Sequence, residues 1–188
     1  MKLPNWIKPL IAATTAFAAV TAMPAAAKDK ADPVEENGSI LASEIQIPVP
    51  PKGKGQILFY RKGGFAGSAV GCSIHENGQK VSSLGGGKYF IMVTDPGKHG
   101  FSVKSEATDK LTLEVEPNKT QFVACKIKMG FMVGRPDIRP SNEAEFRAMK
   151  KFKLVNTDDM GPGPGALQPD DLKAALAASA PPAADSPK

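Results

Sequence analysis

The sequence predicts an all-β domain: an antiparallel β-sandwich of about seven short strands with one short C-terminal helix. Short runs of alternating apolar and polar residues recur about every ten residues, turn residues separate them, and no long helical pattern lies between them. Such alternation buries one face of each strand and leaves the other face in water, which is typical of antiparallel sheets.

The N-terminal segment predicts export. Residues 1–27 begin with lysines, continue with the apolar run 10–23 and end in three alanines, which is typical of a secretory signal peptide cleaved near Ala27. The apolar run is too short to cross a bilayer as a stable helix, and no later segment is longer and as apolar. We therefore expect a mature chain without a transmembrane segment that is periplasmic or secreted.

Composition divides the remaining chain into three segments. Residues 28–52 predict a flexible lead and a Pro-rich linker, because they lack periodicity and contain several prolines. Residues 53–155 predict the β-sandwich domain. Residues 156–188 are rich in Pro, Gly and Ala and predict a disordered tail, because they offer little apolar surface to bury.

The second and third predicted strands are joined by the strongest turn signal in the chain. Residues 57–61 form a short β-rich run, and residues 69–75 alternate apolar and polar side chains. Asn77-Gly78 follows, and this pair tolerates the positive φ angles of a type I′ turn, whose twist suits antiparallel strands. Residues 80–84 are expected to return from this hairpin.

The later strands are separated by turns that contain proline, glycine or asparagine. They are predicted at 89–94, 99–105, 111–115 and 121–129, with turns at 95–98 and 117–118. We interpret Arg135-Pro136 as the end of the β region. A short helix is predicted over 141–154, because Asn142 can cap it and Glu145 completes a capping box. This helix is expected to pack on one edge of the sheet.

The stretch from about Gly53 to Val155 resembles a bacterial family known as domain of unknown function 2846. Four elements carry the resemblance: the opening run ILFYRKGG, the Asn-Gly hairpin, the Pro-Gly-Lys-His turn and the closing GFMVGRP. The resemblance implies an exported β-sandwich of the bacterial envelope, often a lipoprotein, and it implies no activity. This chain lacks a cysteine after the cleavage site, so we expect a released chain rather than a lipid-anchored one.

The two cysteines are a disulfide candidate. Cys72 and Cys125 both lie on the apolar faces of their predicted strands, where residues of neighbouring strands can approach closely enough for a bridge. An oxidising compartment outside the cytoplasm permits the bond. The alternative is two separately buried thiols that act as small hydrophobic side chains.

No catalytic, cofactor-binding or metal-binding constellation is predicted. His75 and His99 are the histidines of the chain, and each lies beside a turn. With Glu76 or Asp95 they could contribute to a zinc or copper site, but exposed turn residues are the favoured interpretation. Cys72 and His75 are three residues apart and face opposite sides of a strand, which disfavours a catalytic pair.

Two arginines are candidates for anion-binding or structural contacts. Arg61 ends an apolar strand and Arg135 follows one, and a guanidinium there can pair with a carboxylate or bind an anion. Residues 28–155 contain 20 basic and 14 acidic residues, and this net charge of +6 can favour anionic envelope polymers or membrane surfaces, or simply keep the chain soluble. Basic residues do not alternate with aromatic ones, so nucleic acid is not an expected partner.

These observations together favour an exported, soluble, non-enzymatic binding or accessory module of the cell envelope, with an envelope protein or polymer as its partner. The alternative is a hydrolase that acts on envelope polymers through a site assembled only by the fold. A concave pocket that gathers His75 or His99 with acids would favour the hydrolase. A flat or open-edged sheet would favour binding. The sequence predicts neither the ligand nor the oligomeric state.

Overall fold

The computed structural model describes residues 38–64, 70–104, 107–128, 131 and 134–180. The predicted signal peptide at 1–27 and the first part of the predicted lead lie outside these residues, as does the end of the tail at 181–188. Across the described ranges, no helix is both long and apolar enough to cross a membrane.

The described chain folds into ten strands and two α-helices. The strands are β1 (Ile40–Leu41), β2 (Gly55–Arg61), β3 (Cys72–Glu76), β4 (Gln79–Leu84), β5 (Lys88–Thr94), β6 (Gly97–Lys104), β7 (Thr108–Val115), β8 (Thr120–Lys128), β9 (Arg135–Ser141) and β10 (Lys151–Leu154), and the helices are α1 (Glu143–Arg147) and α2 (Pro169–Ser179). One short 3-10 turn lies at Thr157–Asp159. The predicted all-β sandwich is confirmed.

The strands form two sheets. One has six strands in the order β1-β10-β5-β2-β8-β9, and the other has four in the order β4-β3-β6-β7. Most neighbouring strands are antiparallel, as predicted, but β2 runs parallel to β8 and β10 runs parallel to β5. Both parallel pairs join segments that are far apart in the chain, and residue alternation carries no information about such pairing.

One apolar core lies between the two sheets. Phe59 stacks on Phe90 with ring centroids 4.9 Å apart, and it meets Phe101 edge-on at 5.1 Å. A disulfide between Cys72 and Cys125 joins β3 to β8 inside this core, so the candidate bridge is confirmed. The bond spans 53 residues of sequence, and the chain-entropy account gives such a loop about 4 kcal/mol of stabilisation.

A second apolar layer covers the other face of the six-stranded sheet. Phe146 of α1 is fully buried, with ring centroids 5.2 Å from Tyr60 and 5.1 Å from Phe152. Ile45 from the N-terminal segment and Leu172 of α2 belong to the same cluster. The six-stranded sheet is therefore buried on both faces, and every residue of β2 is buried.

The predicted flexible lead packs against the sandwich from residue 40 onward. Ala42 is fully buried, and the guanidinium of Arg147 donates to its carbonyl oxygen at 2.9 Å and to that of Ile45 at 2.6 Å. This part of the sequence prediction is wrong, because a few well-spaced anchors hold the segment without producing any periodic pattern.

The helix predicted over 141–154 is shorter than expected. α1 ends at Arg147, and residues 151–154 form β10. The predicted cap is confirmed, because Asn142 Oδ1 accepts the N–H of Glu145 at 2.8 Å. The N–H of Lys153 donates to the carbonyl oxygen of Gly87, and the N–H of Val155 donates to that of Tyr89. These bonds place residues 151–154 alongside β5 as a strand.

Arg135-Pro136 does not end the β region. β9 runs from Arg135 to Ser141 along β8 at the edge of the six-stranded sheet, despite Pro136 and Pro140. Ile138 donates its N–H away from β8, to a side-chain oxygen of Asp109 in β7 at 2.8 Å. Pro136 and Pro140 lie two residues before and after Ile138, so their backbone nitrogens also face away from β8. Proline is tolerated at such positions of an edge strand, because no hydrogen bond between the strands is lost.

Residues 156–180 fold onto the sandwich, contrary to the disordered tail predicted from residue 156. Gly161 and Gly163 each donate an N–H to a carbonyl oxygen of β4 at 2.8 Å. Gly165 accepts a backbone N–H of β5, also at 2.8 Å. We call residues 161–165 the Gly-Pro strap, because this segment links β4 of one sheet to β5 of the other.

The alternation of glycine and proline in the strap has a steric cause. A Cβ on Gly161 would lie 2.0 Å from the carbonyl oxygen of Lys80, so a larger residue cannot fit there without movement. Pro162 and Pro164 point outward and are exposed. Glycine thus occupies the inner positions and proline the outer ones, and a composition typical of disorder here forms a close contact.

Candidate functional site

The two histidines lie on opposite faces of the four-stranded sheet. His75 is on its outer face, and its Nδ1 lies 3.1 Å from the carbonyl oxygen of Ser73. His99 points inward, with Nδ1 2.5 Å from Glu76 Oε1 and Nε2 2.8 Å from the backbone oxygen of Asp95. A carbonyl oxygen only accepts, so Nε2 carries a proton. His99 is therefore held in a largely buried pair and is not the exposed turn residue expected.

The structure does not join the histidines into a metal centre. Within the part of the chain that the structure describes, no three His, Cys, Asp or Glu side chains are grouped closely enough to hold a metal ion. Neither His75 nor His99 lines the cleft that opens at the ends of β2 and β8. This cleft therefore does not gather a histidine with acids.

Arg61 lies inside the sandwich at the end of β2. Its side chain is nearly fully buried, and Nη1 donates to the carbonyl oxygens of Val70 and of Leu84, the latter at 3.1 Å. Burial lowers the pKa of Arg61, because the charged guanidinium loses contact with water. Arg61 thus ties the six-stranded sheet to the end of β4, while Arg135 lies exposed at the start of β9.

A cleft of about 470 Å³ opens where the parallel strands β2 and β8 end. Its volume is within the range of sites for small ligands. Three cationic residues and one carboxylate contribute to its lining, and Ile127 and Met149 add apolar surface. The charged lining residues are Arg61, Lys62, Lys126 and Glu145.

A chain of hydrogen bonds runs along one wall of the cleft. The hydroxyl of Tyr60 lies 2.6 Å from Ser141 Oγ, and Ser141 Oγ donates to Glu145 Oε2 at 2.8 Å. The other carboxylate oxygen of Glu145 forms an ion pair with Arg139. Because Ser141 uses its proton on the carboxylate, Tyr60 is the donor in the first bond.

This arrangement sets the charges of the wall. The hydrogen bond from Arg139, and next the one from Ser141, lower the pKa of Glu145. The hydrogen bond between Arg139 and Glu145 also raises the pKa of Arg139, and burial raises the pKa of Tyr60. A carboxylate held in this way is a weak base, whereas a general base works best with a pKa near the working pH. The wall therefore arranges charge and is poorly suited to proton transfer.

Of the residues that line this cleft, the sequence alone points to Arg61. In the sequence, Lys62 and Lys126 look like ordinary surface lysines, and Glu145 looks like part of a helix cap. Tyr60 and Ser141 are 81 residues apart in the chain, so local spacing could not bring them together. The parallel pairing of β2 and β8 creates the cleft, and no local pattern signals that pairing.

Residues 51–136 match the model of a family described as Protein of unknown function (DUF2846). The matched region contains the whole four-stranded sheet and strands β2, β5 and β8, while the Gly-Pro strap and both helices lie beyond it. No curated protein matches the chain, and no solved structure matches it. The family match confirms the resemblance expected from the sequence over residues 51–136.

Proposed function

We propose that this protein is an exported, non-enzymatic binding module of the cell envelope, and that the cleft at the ends of β2 and β8 binds an anionic ligand. The observation that carries the proposal is the lining of the cleft, which combines three cationic side chains with apolar surface around one carboxylate that is already neutralised.

The two lysines of the cleft are available to a ligand. Lys62 and Lys126 are exposed, and within the described residues neither forms an ion pair. Glu145 is engaged by Arg139, so its charge is offset within the protein itself. The cleft therefore keeps a positive field, which attracts anions.

The shape of the lining indicates the kind of ligand. An anionic group would meet Lys62 and Lys126, and an apolar body would lie against Ile127 and Met149. Apolar contact with a few placed charges is the usual composition of a small-molecule site. Acidic peptides, sugar phosphates and uronic acids all have an anionic group on a compact body.

Two features support export. The N-terminal segment 1–27 has the composition of a signal peptide. The bridge between Cys72 and Cys125 is of a type that persists in oxidising compartments and is rare in the cytosol. We expect intact-mass measurement of the protein recovered from cells to give a chain that begins near Lys28 with both cysteines oxidised. A full-length chain with two thiols would contradict export.

Calorimetric titration of the purified protein with acidic dipeptides, sugar phosphates and uronic acids tests the cleft. We expect at least one of these probes to bind, and the double variant K62Q/K126Q to bind it about tenfold more weakly, because charge-assisted contacts are lost. The control K150Q/K151Q removes the same charge from exposed positions outside the cleft and is expected to bind normally.

Equal affinities for the cleft variant and the control would show that the lysines of the cleft do not bind the ligand. Release of hydrolysis products from a bound probe, measured by mass spectrometry, would favour the hydrolase instead. Absence of binding by every probe at millimolar concentration would remove the support for an anion-binding cleft.

A further inference from the structure

The outer face of the four-stranded sheet carries only glycine and polar side chains. Strand alternation assigns the faces: Ile74, Phe101 and Leu111 point into the core, so their neighbours point outward. The outward residues of the four strands are Ser73, His75, Lys80, Ser83, Lys98, Gly100, Ser102, Lys104, Thr108, Lys110, Thr112 and Glu114. Four are lysines and one is an acid, and we call this surface the lysine face.

The positive charges of this face are spread in two dimensions. Strand register aligns His75 with Lys80 and Ser102, and Ser102 with Lys110, so a row crosses all four strands. With strands about 4.8 Å apart, the two lysines of this row are roughly 14 Å apart. Lys98 and Lys104 lie on β6 to either side of the row, roughly 20 Å apart at about 3.4 Å per residue.

Among the residues that the structure describes, no acid forms an ion pair with these lysines. Lys98, Lys104 and Lys110 are exposed, and Lys80 is partly buried. Glu114 is opposite Lys98 in register and is the one acid on this face. The face thus has an excess of three positive charges.

Gly100 lies in the middle of this face. It is exposed within β6, and a Cβ added there would meet nothing within 4 Å. The packing of the protein therefore does not require glycine at this position. Glycine weakens a strand interior, and where packing does not explain it, it often marks a place where another molecule approaches the backbone closely. Because Gly100 has no side chain, another molecule can approach the backbone at the centre of the face.

We infer that the lysine face binds a planar anionic lipid surface. A linear polymer would follow the row from Lys80 to Lys110 and leave Lys98 and Lys104 unused, whereas a layer of lipid headgroups meets all four together. Basic residues near an anionic leaflet each add to its electrostatic attraction. The face has no tyrosine, phenylalanine or tryptophan on which bases of a single-stranded nucleic acid could stack.

This surface is separate from the proposed cleft. The cleft is lined by β2, β8 and the region of α1, which belong to the six-stranded sheet and its outer layer. Binding is expected to be weak and reversible and to fall as salt rises, because the lysines are solvent-exposed and the attraction is screened.

Vesicle co-sedimentation of the full chain tests the inference. We expect the protein to bind vesicles of phosphatidylglycerol and phosphatidylcholine, and to bind them better than vesicles of phosphatidylcholine alone. The variant K80Q/K98Q/K104Q/K110Q is expected to lose several hundredfold, about fivefold per lysine, in partitioning to the anionic vesicles. The control K52Q/K150Q/K151Q/K173Q removes equal charge elsewhere and should keep most of the binding.

Circular dichroism and thermal unfolding would establish that each variant folds. If the quadruple variant does not fold, the four single Lys→Gln variants are measured instead, each with an expected loss of about fivefold. Equal loss in the control would show that net charge alone drives binding. Absence of preference for anionic vesicles would overturn the inference, as would retention on a soluble anionic polysaccharide without binding to vesicles.

Discussion

The two sheets of this sandwich are buried to different extents. The six-stranded sheet has apolar layers on both faces, and all seven residues of β2 are buried. The four-stranded sheet has one face in the core and one in water, so β3 alternates between buried and partly exposed residues. The sequence carries this difference, because β2 contains the unbroken run Ile57–Tyr60, whereas β7 alternates from residue to residue. An unbroken apolar strand in an otherwise alternating domain indicates a further layer outside the sandwich.

The substitution with the largest expected effect on stability removes an aromatic ring from the outer apolar layer. Phe146→Ala is expected to lower the free energy of unfolding by about 3 to 5 kcal/mol, because the buried ring contacts Tyr60 and Phe152. The matched change Thr112→Ala, on the wet face of β7, should change it by less than about 0.5 kcal/mol. Denaturant unfolding measures both. Similar losses would mean that the outer layer contributes little.

The second test concerns the Gly-Pro strap, which links β4 to β5. Gly161→Ala is expected to lower the free energy of unfolding by about 1 to 3 kcal/mol, because its Cβ would collide with the carbonyl oxygen of Lys80. The control Gly100→Ala places a methyl group in open space and should be nearly neutral. Thermal unfolding, with amide hydrogen exchange of β4, distinguishes them. An unchanged exchange rate in Gly161→Ala would indicate that the strap does not protect β4.

The smallest expected effect is a pH dependence at the wall of the cleft. The pKa of Glu145 is lowered from its ordinary value of 4.5, so its ion pair stabilises the fold above that pH and is lost as the pH falls below it. Because both partners are about one-third exposed, the contribution is below about 1 kcal/mol. Unfolding of Glu145→Gln should therefore depend less on pH between 5 and 3 than unfolding of the natural chain.

A matched carboxylate on the other sheet sharpens that measurement. Glu114→Gln removes an acid that forms no ion pair among the residues described by the structure. Its pH profile is expected to follow that of the natural chain. If both variants flatten the profile equally, the ion pair of Glu145 is not the cause.

Local signals in the sequence are sufficient for the Asn-Gly hairpin and for the inward positions of both cysteines. Asn77 and Gly78 have φ angles of 49° and 82°, as the type I′ turn requires. Cys72 and Cys125 each lie on the inner face that alternation assigned to them. In these cases the informative residues are adjacent or belong to one strand.

The rest depended on contacts between distant segments. The parallel pairing of β2 and β8 creates the cleft, and the segment after Asn156 closes the open edge of β5. Composition favoured disorder for the Gly-Pro strap, because its glycines stabilise the fold only by their close approach to β4 and β5. Pro136 predicts a strand end from the sequence, and only its pairing with β8 shows that it lies at a sheet edge, where proline is tolerated.

The pairing of β1 with β10 has a consequence for the folding kinetics. Ile40 lies opposite Phe152, so the first and last strands of the domain meet although more than a hundred residues separate them. Pairing at such separation raises the contact order, and folding rates fall as contact order rises. During synthesis, the six-stranded sheet stays incomplete until residues 151–154 have left the ribosome. The chain is thus expected to fold slowly and only after most of its length has been made.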